Sequence, residues 1–179
     1  ILQLAAFIRK HSDHSIDVLD DNSETIGIEG ILNYIAVNNV DVIGITAFTY
    51  TFYDVLLLVK AIKGQFPAKL VVVGGPHTSL FAEETLSHKE IDYLVIGEGE
   101  EPFLHLLDSI AAGDDPENIT GLAFKRHGQM VAGSTAFFAN LDSLPFPAYD
   151  LVKPENYYST FGYGGKTITL CTSRGCPFK

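Results

Sequence analysis

Cysteine is scarce in this 179-residue chain: there are two, Cys171 and Cys176, both within the last nine positions. Thiols crowded at one end make a poor disulfide framework, and their scarcity suits a reducing, cytoplasmic compartment. Positive charge is scarce too. Twelve Lys and Arg against 22 Asp and Glu give a formal net charge of −10, with no basic cluster along the chain. That balance argues against nucleic acid or an anionic membrane surface as main partner, and leaves a polyanionic ligand to be held by backbone N–H groups. No apolar run reaches membrane-spanning length, and the opening "ILQLAAFIRKHSDH" lacks the small-residue cleavage site of a signal peptide. No GxGxxG follows a strand-like run, and a P-loop lysine is absent.

What is present is a core. Apolar residues make up 46% of the chain, enough for one full domain and part of another. From Ile1 to about Ala112, helical patterns alternate with short apolar runs, the rhythm of βαβ units. The pattern predicts a helix over 1–11, a strand over Ser15–Asp20, a helix over 24–38 and a strand over Asp41–Phe48. A helix over 51–66, a strand over Lys69–Gly75, a helix over 79–87, a strand over 92–100 and a helix over 101–112 follow. Runs such as Leu70–Val73 are continuously apolar, as in strands covered on both faces. The expected fold is therefore α/β, a flavodoxin-like (Rossmann-like) parallel sheet in three α/β/α layers. Because the chain starts with Ile inside a helical pattern, a first strand is expected upstream, giving the order 2-1-3-4-5.

After Gly113 the texture changes. "ITGLAFKRHGQMVAG" reads as a hairpin turning at His127-Gly128, and the Pro- and aromatic-rich "LDSLPFPAYDLVKPENYYSTFGYGG" as a packed linker. "KTITLCTSRGCPFK" opens as a strand, Lys166 to about Thr172. The expected division is an α/β domain over 1–113, hairpin and linker over 114–165, and the start of a truncated second domain over 166–179.

In an open parallel sheet, ligands sit beyond the carboxyl ends of the strands. Here those ends are Thr46-Ala47-Phe48-Thr49, Gly74-Gly75-Pro76-His77 followed by Thr78 and Ser79, and Gly97-Glu98-Gly99-Glu100. Glycine permits positive φ and close approach of backbone to ligand, and Thr78 and Ser79 offer N-cap hydroxyls. The same glycines also suit ordinary tight βα turns. Glu100 and Glu101 read as first-turn carboxylates favoured by a helix dipole, with Glu98, between two glycines, the candidate exception. His77 sits at a strand end, where it contacts a ligand or caps a helix. Cys171, on the expected strand, reads as a small buried hydrophobe. Nothing here resembles a self-sufficient active site, which points to a binding module.

"TSRGCPF" at the end of a strand resembles the start of the radical S-adenosylmethionine (SAM) signature, Cys-x3-Cys-x2-Cys, whose thiolates hold a 4Fe-4S cluster. Cys176 matches its first, metal-binding cysteine. In order, "DVIGITAFTYTF", "LVVVGGPHTS", "DYLVIGEGEEPFLHLL", "ITGLAFKRHGQMV", "LDSLPFPAYDLV" and "TSRGCPF" resemble the N-terminal cobalamin-binding domain of B12-dependent radical SAM proteins. These include methyltransferases and the anaerobic Mg-protoporphyrin IX monomethyl ester oxidative cyclase. The resemblance implies that Thr46, Ala47, Phe48, Gly74, Gly75, Pro76, His77, Gly97, Glu98 and Gly99 line a cobalamin site. It also implies a radical SAM barrel in cis, a small-molecule substrate, and cluster and SAM in the full-length protein, an enzyme that this fragment alone is not. The Asp-x-His-x-x-Gly motif that supplies a cobalt ligand in many cobalamin domains does not occur, so the resemblance assigns no lower ligand. Two alternatives stand: an interaction or regulatory module that has lost its ligand, and a flavin- or nucleotide-binding domain.

Overall fold

In the computed structural model, which describes residues 1–138, 140–158 and 165–175, the elements follow the expected alternation through the first domain. Helix α1 (Leu2–His11) carries Arg9, Lys10 and His11 in its last turn, where cations favour the helix dipole. Then come α2 (Asp21–Glu24), α3 (Gly27–Asn38), β1 (Val42–Thr46), α4 (Phe52–Gln65) and β2 (Leu70–Gly74). The chain continues through α5 (Pro76–Leu80), α6 (Ala82–Ser87), β3 (Tyr93–Val95), α7 (Glu100–Ala112), β4 (Leu122–Arg126) and β5 (Gln129–Ala132).

The sheet order is β1-β2-β3-β4-β5. β1, β2 and β3 are parallel, and β4 and β5 join antiparallel at the β3 edge. Val71, Val72 and Val73 are all fully buried because helices cover both faces of β2. Val71 and Val73 pack with Val55, Val59 and Ile62 of α4 and Leu86 of α6. Val72 points the other way, to Phe7 and Ile8 of α1 and Phe103 and Leu106 of α7. The three-layer α/β/α arrangement is thus present. The hairpin extends its sheet, with Leu122 and Phe124 on one face and Ala123 on the other. Its turn falls at His127 and Gly128 (φ +50° and +81°), both left-handed as a two-residue turn between twisted strands requires.

Two predicted strands are corrected. Ser15–Asp20 forms no strand. Alternate residues are half-buried, as its pattern requires, but Ile16 and Val18 pack on Ala5 and Ala6 of α1 instead of entering the sheet. The parallel run β1-β2-β3 matches the 3-4-5 portion of the expected order, whose strand 1 is expected upstream of Ile1, and the hairpin adds two strands beyond strand 5. At the other end, Lys166 bridges Tyr158, but 167–172 form no ladder, and Ile168 and Leu170 are exposed. The linker is packed: Gln3 donates to the Pro145 carbonyl (2.7 Å), Phe138 sits edge-on to Phe7, and Ala148 covers Ala5 and Ala6. Among the described residues, no helix is long and apolar enough to cross a membrane.

Candidate functional site at the carboxyl ends of the strands

β1, β2 and β3 all end at one edge of the sheet, and their loops are knitted to one another by hydrogen bonds. Thr46 and Gly74 are register partners, the Ala47 N–H donates to Gly74 O (2.8 Å), and the His77 N–H donates to Ala47 O (3.2 Å). Thr78 Oγ1 lies 2.8 Å from Gly75 O and 2.9 Å from Val95 O, which ties the second loop to the third. The Gly97 N–H donates to Ser79 Oγ (3.3 Å). All ten predicted loop residues, Thr46–Phe48, Gly74–His77 and Gly97–Gly99, therefore lie on or beside one continuous ridge.

Two of the glycines, Gly75 and Gly97, are required by contacts within the protein itself. At Gly75 (φ +100°) a Cβ would stand 2.8 Å from Ala47 O, so the absent side chain lets the first two loops touch. At Gly97 (φ +88°) a Cβ would collide with Ala136 O and lie 2.8 Å from Thr135 Cγ2. At Gly74 the nearest atom is Val95 Cβ at 3.6 Å, ordinary contact. Nor do Thr78 and Ser79 cap α5 as expected. The cap position is Gly75, and the two hydroxyls reach across to Val95 and Gly97 instead.

His77 is turned inward. It is 3% exposed, its ring stacks on Phe52 (centroids 3.8 Å apart), and its Nδ1 lies 3.3 Å from Thr49 Oγ1. Its Nε2 is buried with no hydrogen-bond partner among the described residues. Beside it runs an open groove of ≈ 440 Å³ lined by Thr49, Phe52, Tyr53, Phe81 and His88 among others. Several apolar side chains of these loops stand in solvent: Phe48, Tyr50, Tyr53, Leu80 and Phe81 are each at least 41% exposed. A cluster of that kind is a surface built to be covered.

The third loop is held from outside the α/β body. The Glu98 N–H donates to Ala136 O (3.0 Å), and the Glu98 carboxylate accepts from the Phe138 N–H. Glu100, at the start of α7 and 5% exposed, accepts from Arg174 Nη2 at 2.6 Å, and Arg174 Nη1 is 3.7 Å from Glu98 Oε1. The hydrogen bond to Glu100 raises the Arg174 pKa further, so the guanidinium is permanently charged. Thr135–Phe138 and Arg174 are the parts of this site that sequence reading missed, and neither carries a local signal. Cys171, read as buried, is exposed, and its thiol lies 3.0 Å from Ser173 O. Cys176 lies outside the described residues. Among the described residues, no three His, Cys, Asp or Glu side chains come together as a metal site.

The ridge carries exposed aromatic side chains on its surface, while the loop hydroxyls and N–H groups named above are engaged with one another.

Comparison with known proteins adds identity. The chain is 33% identical over 177 residues to "Uncharacterized methyltransferase PH0819" of Pyrococcus horikoshii, covering 98% of this chain and 38% of that protein. It is 29% identical over 144 residues to the anaerobic magnesium-protoporphyrin IX monomethyl ester cyclase of Cereibacter sphaeroides, covering 77% and 23%. Its fold matches that of OxsB, a cobalamin-dependent S-adenosylmethionine radical enzyme solved with aqua-cobalamin and S-adenosylmethionine bound, with TM-score 0.75, 15% identity and coverage of 83% and 21%. The chain thus spans well under half the length of these relatives. Residues 1–107 match the B12 binding domain family, and the chain belongs to it.

Proposed function

We propose that this chain is the cobalamin-holding part of a radical SAM enzyme, with the ridge of strand-end loops as the corrin platform. The observation that carries this reading is that the B12-binding match over 1–107 includes all three loops, which hydrogen bonds join into one surface. Thr46–Phe48 and Gly74–His77 would hold the cofactor from one side and Gly97–Gly99 from the other. The exposed Phe48, Tyr50 and Phe81 would exclude water from it. When bound, cobalamin would carry the group or electrons for radical chemistry begun elsewhere in the full-length protein. What these residues supply is orientation and desolvation.

The full-length protein would bind a 4Fe-4S cluster through Cys176 and two further cysteines, and use SAM to generate a substrate radical. Radical methyl transfer is favoured over oxidative cyclisation because the relative named an uncharacterized methyltransferase is 33% identical to this chain, against 29%, 28% and 23% for three relatives named cyclases. Thiolate-bound iron and reduced cobalt call for a reducing, cytoplasmic setting.

The test is an anaerobic absorbance titration of hydroxocobalamin into the native-length protein, followed by gel filtration. The expected result is a corrin spectrum travelling with protein at about one-to-one stoichiometry. Folded protein that elutes colourless would overturn the cofactor reading and leave an interaction module.

A further inference from the structure

Arg174 is two residues before Cys176 in sequence, yet its guanidinium is docked on the loop that follows β3, 74 positions away from Glu100. The neighbourhood makes this contact unusual. Cys171, Thr172, Ser173 and Gly175 around it are exposed, whereas Arg174 itself is half-buried. The other hydrogen bonds of this segment among the described residues are internal, from the Cys171 thiol to Ser173 O, or run to the linker, from Thr167 to Tyr157 and from Tyr149 to Thr169. Among the described residues, the only hydrogen bonds joining 165–175 to the α/β body run through Arg174.

Its partners are equally specific. Glu100 is 5% exposed, and a carboxylate that deep needs a cation or several donors. The helix N-terminus supplies part of the compensation, and Arg174 supplies the charge. Glu98 is shared: its carboxylate accepts from the Phe138 N–H and also faces the guanidinium. Both acids flank Gly99 in the loop assigned above to cobalamin. A planar, always-charged fork suits this task better than a lysine, because it can address two carboxylates from one fixed position.

We infer that Arg174 is a positioning residue that couples two cofactor sites, locking the segment leading to the cluster cysteine onto the β3 loop of the corrin platform. The inference rests on the cobalamin and cluster reading and deepens it. Because Arg174 ties that segment to the β3 loop, filling one site would favour the loop position that the other uses, and by linkage each would tighten the other by the same factor.

The experiment measures that factor in the native-length protein. Hydroxocobalamin affinity is determined anaerobically by absorbance with the cluster reconstituted and again after its removal by chelation, with iron content measured in parallel. In the wild type the cluster is expected to tighten corrin binding at least about fivefold, the lower end of ordinary coupling between sites. In Arg174→Ala that ratio is expected to fall to about one while iron content is retained, with Arg174→Lys intermediate because it keeps charge without the fork. Glu100→Gln tests the same contact from the other side and is expected to lower the ratio too, which covers an Arg174→Ala protein that fails to fold. A purely structural Arg174 would shift both affinities and leave their ratio alone, and that result would overturn the inference, as would a wild-type ratio of one. A wild type that binds no hydroxocobalamin in either state instead overturns the cofactor reading itself, and the coupling with it.

Discussion

The hydroxyl of Thr78 lies 2.9 Å from the carbonyl oxygen of Val95 in a buried contact, joining the loop after β2 to the end of β3. The same hydroxyl is 2.8 Å from Gly75 O, so one side chain on a five-residue helix sets the relation between two loops of the ridge. Thr78→Val keeps the shape and removes the donor. It is expected to lower unfolding free energy by about 1–3 kcal/mol, the cost of leaving a buried acceptor without its partner. Thr78→Ser, which keeps the hydroxyl, should lose less. Denaturant midpoints at unchanged slope would show this. Equal losses in the two variants would mean that the methyl group, not the hydrogen bond, matters.

Gly75 and Gly74 are adjacent but should respond differently. At Gly75 a side chain meets Ala47 O at 2.8 Å with φ at +100°, whereas at Gly74 it meets Val95 Cβ at 3.6 Å with room to spare. Backbone at φ +100° and ψ −178° is essentially confined to glycine and costs about 1–3 kcal/mol for a residue with a Cβ. The contact with Ala47 adds to that, because the obstacle is backbone and cannot rotate away. Gly75→Ala is therefore expected to destabilise by more than about 2 kcal/mol and to weaken hydroxocobalamin binding, while Gly74→Ala stays within about 1 kcal/mol of wild type. Thermal melts and the corrin titration on both variants decide it.

These two glycines also show how far the sequence can be read. "GGPHTS" announces a backbone turn at a strand end, and a turn is there. The partner that makes Gly75 necessary is the Ala47 carbonyl, however, and a contact across two loops leaves no mark in local composition. The central strands were legible because Val71–Val73 are apolar without interruption, a pattern that burial on both faces explains. The hairpin was legible because His127-Gly128 suits positive φ at both positions. Ser15–Asp20 shows the opposite case. Its alternation correctly predicts one buried side, but alternation cannot say whether that side meets a sheet or a helix, and here it meets α1. Arg174 and Glu100, 74 positions apart, lay beyond any periodic signal.

His77 is a buried polar residue only half satisfied: Nδ1 faces Thr49, and Nε2 faces nothing among the described residues. Its ring lies between Phe52 and Phe81, at centroid distances of 3.8 and 5.1 Å. Replacing both a polar group and its unmet demand with an apolar ring of similar shape is nearly neutral or stabilising. His77→Phe is therefore expected to change stability by less than about 1.5 kcal/mol, in either direction, since Thr49 is exposed and can turn to water. His77→Ala removes the stacked ring and is expected to cost about 3 kcal/mol, as large-to-small core changes do. Calorimetric melts of the two variants test this. A Phe variant as damaged as the Ala variant would show that Nε2 has a partner essential to the fold.

Tyr93, in β3 opposite Phe124 of β4, ties alkaline stability to the hairpin edge. Burial raises its phenol pKa above the usual 10.0, with the carboxylates of Asp92 and Asp115 adding to the rise and Arg126 opposing it. The sign follows from the proton balance. Below about pH 10 the phenol is neutral in both folded and unfolded chains, and its contribution to stability is fully present. As pH rises past that point the unfolded chain ionises first, so stability falls until the folded-state pKa is reached. Asp115 pairs with Arg126, and Asp92 accepts from the Val71 N–H at 2.7 Å and pairs with Lys63, contacts that fix where the two carboxylates lie relative to the phenol. Tyr93→Phe removes the ionisation and keeps the ring on Phe124. Its unfolding free energy is expected to decline less steeply above pH 10 than that of wild type, while the two coincide in slope near pH 7. Parallel slopes throughout the alkaline range would place the phenol in an environment no different from water.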